Sequence, residues 1–219
     1  MDNIKIRLKN FFTTGSDITK ALCIALIFTV LLEFCALDTR CDQVRESVFR
    51  LHVIANSDST DDQELKLKVR DRIIRDSAHL FEGVSSDDEA IEISRKNLCA
   101  FEKAAKDEIT ANGYDYSVSV SVSPSYFGTR VYDDITLPAG DYEALRVIIG
   151  EGKGKNWWCV MFPPMCLSPA DKKTDNKQLD ETLTDDGLTL VTGGEKYKAK
   201  FRAVEIYEQI KHSLRNFFS

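Results

Sequence analysis

The chain has 219 residues, with 29 Lys and Arg against 35 Asp and Glu and a formal net charge of −6. Hydrophobic residues make up 43% and charged residues 29%, a globular balance that excludes a disordered or fibrous protein. The acidic excess argues against a dedicated nucleic-acid binder, whose partner demands a basic face, and only one stretch is apolar enough to be considered for a membrane.

That stretch stands at the start. Lys5, Arg7, Lys9 and Lys20 precede the uncharged run Ala21–Leu32; Glu33 interrupts it and Phe34–Leu37 resumes it. The run fits the apolar segment of a signal peptide, about 7–15 residues, better than the ~20 residues of a comfortable span. Basic residues ahead of the apolar run predict that the N-terminus stays inside and the rest is exported. Ala36 suits the last position before a cleavage site, but Phe34 is too large two residues earlier, so cleaved and anchored forms both stand. Met1–Leu37 holds four basic and three acidic residues, which leaves 25 basic against 32 acidic, a net −7, for the exported part.

Val48–Ala55 alternates, with Phe49, Leu51, Val53 and Ala55 on one face and Arg50 and His52 on the other, and predicts a half-buried strand. Turn residues Asn56–Ser59 follow. Thr60 and Gln63 match a capping box that opens a helix to about Leu80, with Leu65, Val69 and Ile73 as its apolar seam. Asp62–Lys66, Glu64–Lys68 and Asp71–Arg75 have the spacing of intrahelical ion pairs. Ser86–Glu89 is a second capping box, and the following stripe from Ala90 to Ile109 ends at Asn112–Gly113. Tyr116–Val122 alternates Val with Ser, the pattern of an antiparallel sheet with one wet face. Gly128–Leu137, Glu143–Ile149 and Trp157–Phe162 are three further strands. In the last of these Trp157, Cys159 and Met161 face one way and Trp158, Val160 and Phe162 the other, so it is either central or set against a partner. Residues 170–186 are polar, and Lys196–Phe217 is amphipathic, with Phe201, Val204, Tyr207, Ile210, Leu214 and Phe217 in one stripe.

These elements predict an α+β single domain: a mainly antiparallel sheet of about four to five strands, two consecutive helices inserted after the first strand, and a C-terminal helix. The segments are an export signal or membrane anchor (1–37), the α+β domain (46–168), a charged linker (169–195) and the amphipathic helix (196–219).

No pattern here demands a cofactor, a metal or a nucleophile. Gly150–Asn156 has the wrong spacing for a phosphate-binding loop and runs into a strand, so it reads as a wide hairpin with a basic tip at Lys153 and Lys155. Asp58, Asp61 and Asp62 lack the rhythm of a calcium loop and suit a helix start. Asp133–Asp134 reads as a solvated turn. No Gly-x-Ser-x-Gly elbow accompanies the three histidines, and His52 reads as a partnered or interface histidine. Cys41, Cys99, Cys159 and Cys166 lie outside the export segment; a local bridge between Cys159 and Cys166 across Pro163–Pro164 is sterically open, as are free thiols. Adjacent strand residues point to opposite faces, so one of Trp157 and Trp158 is expected to contribute to a partner site.

Two long blocks, Arg50–Asp71 and Leu137–Cys166, together with Asn112–Tyr116, resemble the stage II sporulation protein R family of endospore-forming bacteria. The resemblance spans about Val48–Cys166, and Phe201–Tyr207 is similar to the family's closing segment. It implies a signalling protein and not an enzyme, exported from the forespore into the intermembrane space. There it would activate a membrane-embedded aspartic protease that processes the mother-cell pro-sigma factor. The surface candidates for the partner are His52, Lys153, Lys155, Trp157 and Trp158. The rival class is an exported hydrolase or peptidase centred on His52 with Asp58 or a serine; a third is a structural module of the envelope.

Overall fold

A computed structural model describes residues 17–132, 135–163 and 182–218. The chain divides into two compact units, Met1–Arg40 and Cys41–Ser219.

Helix α1 (Asp17–Glu46) accounts for the described part of the first unit and runs on beyond it. Its 30 residues span roughly 45 Å at the α-helical rise. Between Ile18 and Leu32 its large apolar side chains are exposed. The one hydroxyl in the Ala21–Leu32 run is satisfied within the helix, because Thr29 Oγ1 donates to the Ala25 carbonyl at 2.9 Å. The helix is long and apolar enough to cross a membrane, and its position near the N-terminus fits a signal sequence equally well.

The second unit is built on a four-stranded sheet. Its strands are β1 (Phe49–Ile54), β2 (Val118–Phe127), β5 (Gly140–Ile149) and β6 (Asn156–Phe162), in the spatial order β2-β5-β1-β6. β2–β5 and β1–β6 are antiparallel, and the central β1–β5 pair is parallel. The stretch read as one strand at Gly128–Leu137 is instead a small antiparallel ribbon of β3 (Arg130–Tyr132) and β4 (Ile135–Leu137). The Asp133–Asp134 turn lies outside the described residues.

Between β1 and β2 come α2 (Thr60–Ser77), a 3-10 turn (Ala78–Phe81), α3 (Asp87–Lys96) and α4 (Leu98–Ala111). The second expected helix is thus two. Asn97 divides it: its backbone N–H serves Ile93 and Ser94, and its side chain donates to the Ile93 carbonyl at 2.8 Å. The first capping box is shifted by one residue, because the Ser59 hydroxyl, and not Thr60, accepts the Asp62 N–H. The second forms in half: Ser86 accepts the Glu89 N–H as expected, while the Glu89 carboxylate accepts the N–H of Ser85, one residue ahead of the cap.

The helices cover one sheet face. Leu65, Val69, Ile73, Phe101, Ala105 and Ile109 pack on Leu51, Val53, Leu145, Val147, Cys159 and Met161. Phe162 joins this core instead of facing away with Val160. A bulge between Phe49 and Arg50 pairs Phe49 with Phe162 and Arg50 with Val160, which turns the end of β6 over. β6 is an edge strand, which overturns the central position offered for it. The second face is not wet at β1: all six residues of that strand are buried, Arg50 and His52 included. A central strand with the β3–β4 ribbon over it leaves no solvent side.

Within 169–195 the described residues include α5 (Asp185–Thr192), capped by Thr184 and burying Leu190 and Val191. The last helix, α6 (Lys198–Phe218), is held by Arg215 on Asp141 at 2.7 Å and by the buried Glu208 facing Arg45 at 3.7 Å. Its predicted stripe divides: Phe201 and Val204 are buried, whereas Tyr207, Ile210, Leu214 and Phe217 are exposed.

Candidate functional site

The two distinctive sequence blocks meet at one end of the sheet, where the loop after β1 and the glycine-rich loop before β6 interlock. The Asp62 carboxylate, at the start of α2, accepts from Asn56 Nδ2 at 2.9 Å and from Ser57 Oγ at 2.5 Å. Asn56 Oδ1 then accepts the Glu151 N–H at 3.0 Å. The Lys153 and Gly154 N–H groups donate to the Asn56 and Ala55 carbonyls, and the Lys155 N–H donates to Asp58 at 2.7 Å. Lys66 closes the set by donating to the Lys155 carbonyl at 3.1 Å. None of the three expected intrahelical ion pairs forms: Asp62 and Lys66 serve these loops, Lys68 reaches Asn112, and Asp71 takes Arg70.

The glycines are required by this closeness. A Cβ on Gly154 would stand 2.2 Å from the Ser57 carbonyl oxygen, and one on Gly150, whose φ is +58°, would stand 2.2 Å from Asn56 Oδ1. The loop is therefore a docked strap with its amides spent on protein, not an open hairpin. Burial pushes the Asp62 carboxyl up, but the hydrogen bonds from Ser57, Asn56, Tyr116 and Ser59 outweigh it and hold it below its ordinary value.

The strap projects Lys153, Lys155 and Trp157. Both lysines are exposed; Lys153 pairs with Glu151, at 2.8 Å. Trp157 is 36% exposed, with the Arg70 guanidinium 4.3 Å from its ring centroid. Three cations and an indole thus share this end, on the helix side of the sheet.

His52 and Trp158 belong to the opposite side. His52 is 8% exposed, between Phe127 at 5.7 Å and Trp158 at 6.1 Å. Burial pushes its pKa from 6.5 down to about 4; Asn156 acts against the shift, and the Arg146 and Arg50 charges add to it. The rival hydrolase grouping is not assembled: Ser57 donates to Asp62, Asp58 holds the Lys155 amide, and the polar neighbour of His52 is Asn156. Cys159 is disulfide-bonded, and its suggested partner Cys166 lies outside the described residues.

Sequence reading missed the interlock itself, although Asn56, Ser57 and Asp62 at a helix start and three glycines in five residues were its visible traces. It also missed Arg70, whose place over Trp157 needs the tertiary fold.

The family model for stage II sporulation protein R matches residues 45–172, more than half of the chain and all of the interlocked end. Stage II sporulation protein R of Bacillus subtilis (strain 168) is 34% identical over 152 residues, covering 65% of this chain and 68% of that protein. No solved structure matches. The chain belongs to the stage II sporulation protein R family.

Proposed function

We propose that this protein is an exported signal between the two compartments of a sporulating cell. It acts by binding a membrane-embedded aspartic protease and favouring its active state, and the protease then processes the mother-cell pro-sigma factor. A sporulation role comes with the family; export, the protease and the sigma factor are the proposed part. The reading is carried by one combination in a chain of this family: an N-terminal apolar helix of signal or anchor type, and a separate compact unit with an exposed basic and aromatic end.

An activating ligand must bind the active state better than the inactive one. Moving a protease from about 1% to about 99% active takes ~10⁴-fold preferential binding, about 5.5 kcal/mol. A rigid presenting surface helps, because ordering a floppy loop on contact would subtract from that preference. The hydrogen bonds that dock the strap supply such rigidity beneath Lys153, Lys155 and Trp157.

The test is co-production of the full chain, the protease and the sigma precursor in a non-sporulating host. Cleavage of the precursor is expected only with all three present, and is expected to fall when Lys153, Lys155 and Trp157 are replaced together by Glu, Glu and Ala. Absence of cleavage with all three made and folded sinks the activator reading. Processing that needs only protease and precursor points instead to an envelope module.

A further inference from the structure

The sheet face opposite the helices carries a second constellation, on which the activator reading does not draw. Ser121, Arg146, His52 and Trp158 are register neighbours across all four strands, β2, β5, β1 and β6. Cross-strand neighbours in register point to the same face, so their side chains form one row. Arg50 is two residues from His52 on β1 and shares that face. Arg130 of the ribbon lies over Trp158, its guanidinium carbon 4.1 Å from the ring centroid.

This row is rich in donors that have nothing to bond. Arg50 Nη1, Arg146 Nε and Trp158 Nε1 are shielded from solvent and make no hydrogen bond. Arg50 is 0% exposed. Its other contacts are the Tyr132 hydroxyl at 2.5 Å, the Cys159 carbonyl at 3.5 Å, and the rings of Phe127 and Tyr142 at 4.0 and 4.8 Å. Among the described residues no carboxylate pairs with Arg50, Arg130 or Arg146, although the exported part of the chain is acidic. Buried guanidinium groups are ordinarily paired with carboxylates, and buried donors are ordinarily bonded. Among the described residues this patch of one charge sign has no anion against it.

We propose that this face is a binding site for a carboxylate on an acidic segment of a protein partner. Arg146, half-buried, and Arg50, buried on the neighbouring strand, supply the charge; Trp158 Nε1 supplies a neutral donor; Arg130 lies over the Trp158 ring. Entry is from the β2 side, where Ser119 is exposed and Ser121 half-buried. A protruding side chain reaches such recessed donors, whereas a lipid headgroup held in a bilayer plane does not. Guanidinium groups favour carboxylate through their paired N–H donors, and desolvation strengthens each contact.

The test uses the full chain in a non-ionic detergent, titrated at constant ionic strength with an acetylated hexaglutamate peptide, with sodium phosphate, and with anionic phosphatidylglycerol vesicles. The chain has two Trp, so two indole N–H signals are seen by ¹H–¹⁵N NMR, assigned by Trp157→Phe. The peptide is expected to shift the Trp158 signal saturably and leave Trp157 in place. Arg146→Gln is expected to weaken that binding at least fivefold, while Lys103→Gln, an exposed lysine on α4, leaves it unchanged. No saturable shift, or a shift equal in Arg146→Gln, overturns the proposal. Saturation by phosphate or by vesicles with the peptide silent also overturns it, in favour of a small-oxyanion or a lipid site. The titration involves no protease, so its failure and that of the activator reading are distinguishable.

Discussion

Replacing Asp62 with Ala removes the acceptor on which the interlocked loops depend. Of the donors that lose their partner, the two in the interlocked loop are Asn56 Nδ2 at 2.9 Å and Ser57 Oγ at 2.5 Å. Hydrogen bonds to a charged group are worth ~1.5–3 kcal/mol each. Asn56 and Ser57 are half-buried, so water recovers part of this, and a net cost of about 2–3 kcal/mol is expected. Asp61→Ala is the control: it deletes the same charge from the same helical turn, but Asp61 is exposed, and its loss costs at most about 0.5 kcal/mol through the helix dipole. Urea unfolding of the full chain in detergent, followed by tryptophan fluorescence, reads the difference as a midpoint shift of about 1 M at a slope of ~2–3 kcal/mol/M. The pH dependence supplies a sign. The folded Asp62 pKa lies below its unfolded value of about 3.9, so its contribution is full above that value and is lost as pH falls through the folded pKa. The gap between the wild type and Asp62→Ala should therefore be widest near neutrality and close in strong acid. Equal midpoints for the two variants at pH 7, or a gap that persists unchanged in acid, refute the reasoning.

Gly154→Ala brings a methyl group against the Ser57 carbonyl and is expected to spring the strap, losing the Lys153, Gly154 and Lys155 amide bonds at about 1 kcal/mol each; thermal unfolding and amide exchange at those residues measure it. His52 titrates at about 4 when folded and near 6.5 when unfolded, so the unfolded state takes up the proton first and stability falls between those pH values, by up to about 3 kcal/mol; His52→Phe should flatten that slope, and an unchanged slope counts against it. Arg50→Met keeps most of the volume and deletes a buried charge that no carboxylate among the described residues offsets, so stability is expected within ~1 kcal/mol of wild type or above it, by urea titration. A loss of several kcal/mol there would mean that Arg50 is structurally paired.

The elements of this fold were legible wherever periodicity and capping agreed. β1, α2 and the alternating β2 follow directly from Phe49-Leu51-Val53, Leu65-Val69-Ile73 and the Val/Ser repeat. What escaped was tertiary. Nothing local distinguishes one strand at Gly128–Leu137 from a ribbon folded at its middle. The alternation of β1 marks its faces correctly, but not that both are covered, because burial of the Arg50–His52 face depends on residues some 80 positions away, Phe127 and Tyr132 among them. The site was legible in part: Lys153, Lys155 and Trp157 are exposed as surface chemistry suggested, while His52 sits in the interior, since a histidine on an alternating strand gives no sign of what lies above it.

The interlock changes how the family resemblance bears on function. Arg50–Asp71 and Leu137–Cys166 stand out as long motifs, yet within them Asn56, Ser57, Asp62, Gly150 and Gly154 are spent on holding one loop to the other. Their substitution undoes the docked strap, so a loss of the proposed signalling at any of them reports folding and contact together. Lys153 and Lys155 separate the two. Their side chains are exposed, and exposed charge changes cost stability only tenths of a kcal/mol, about ±0.5. If the proposed signalling falls at these two lysines with the unfolding midpoint unmoved, the contact is at the strap. Signalling that survives there but falls in Arg146→Gln locates it on the opposite face of the same sheet.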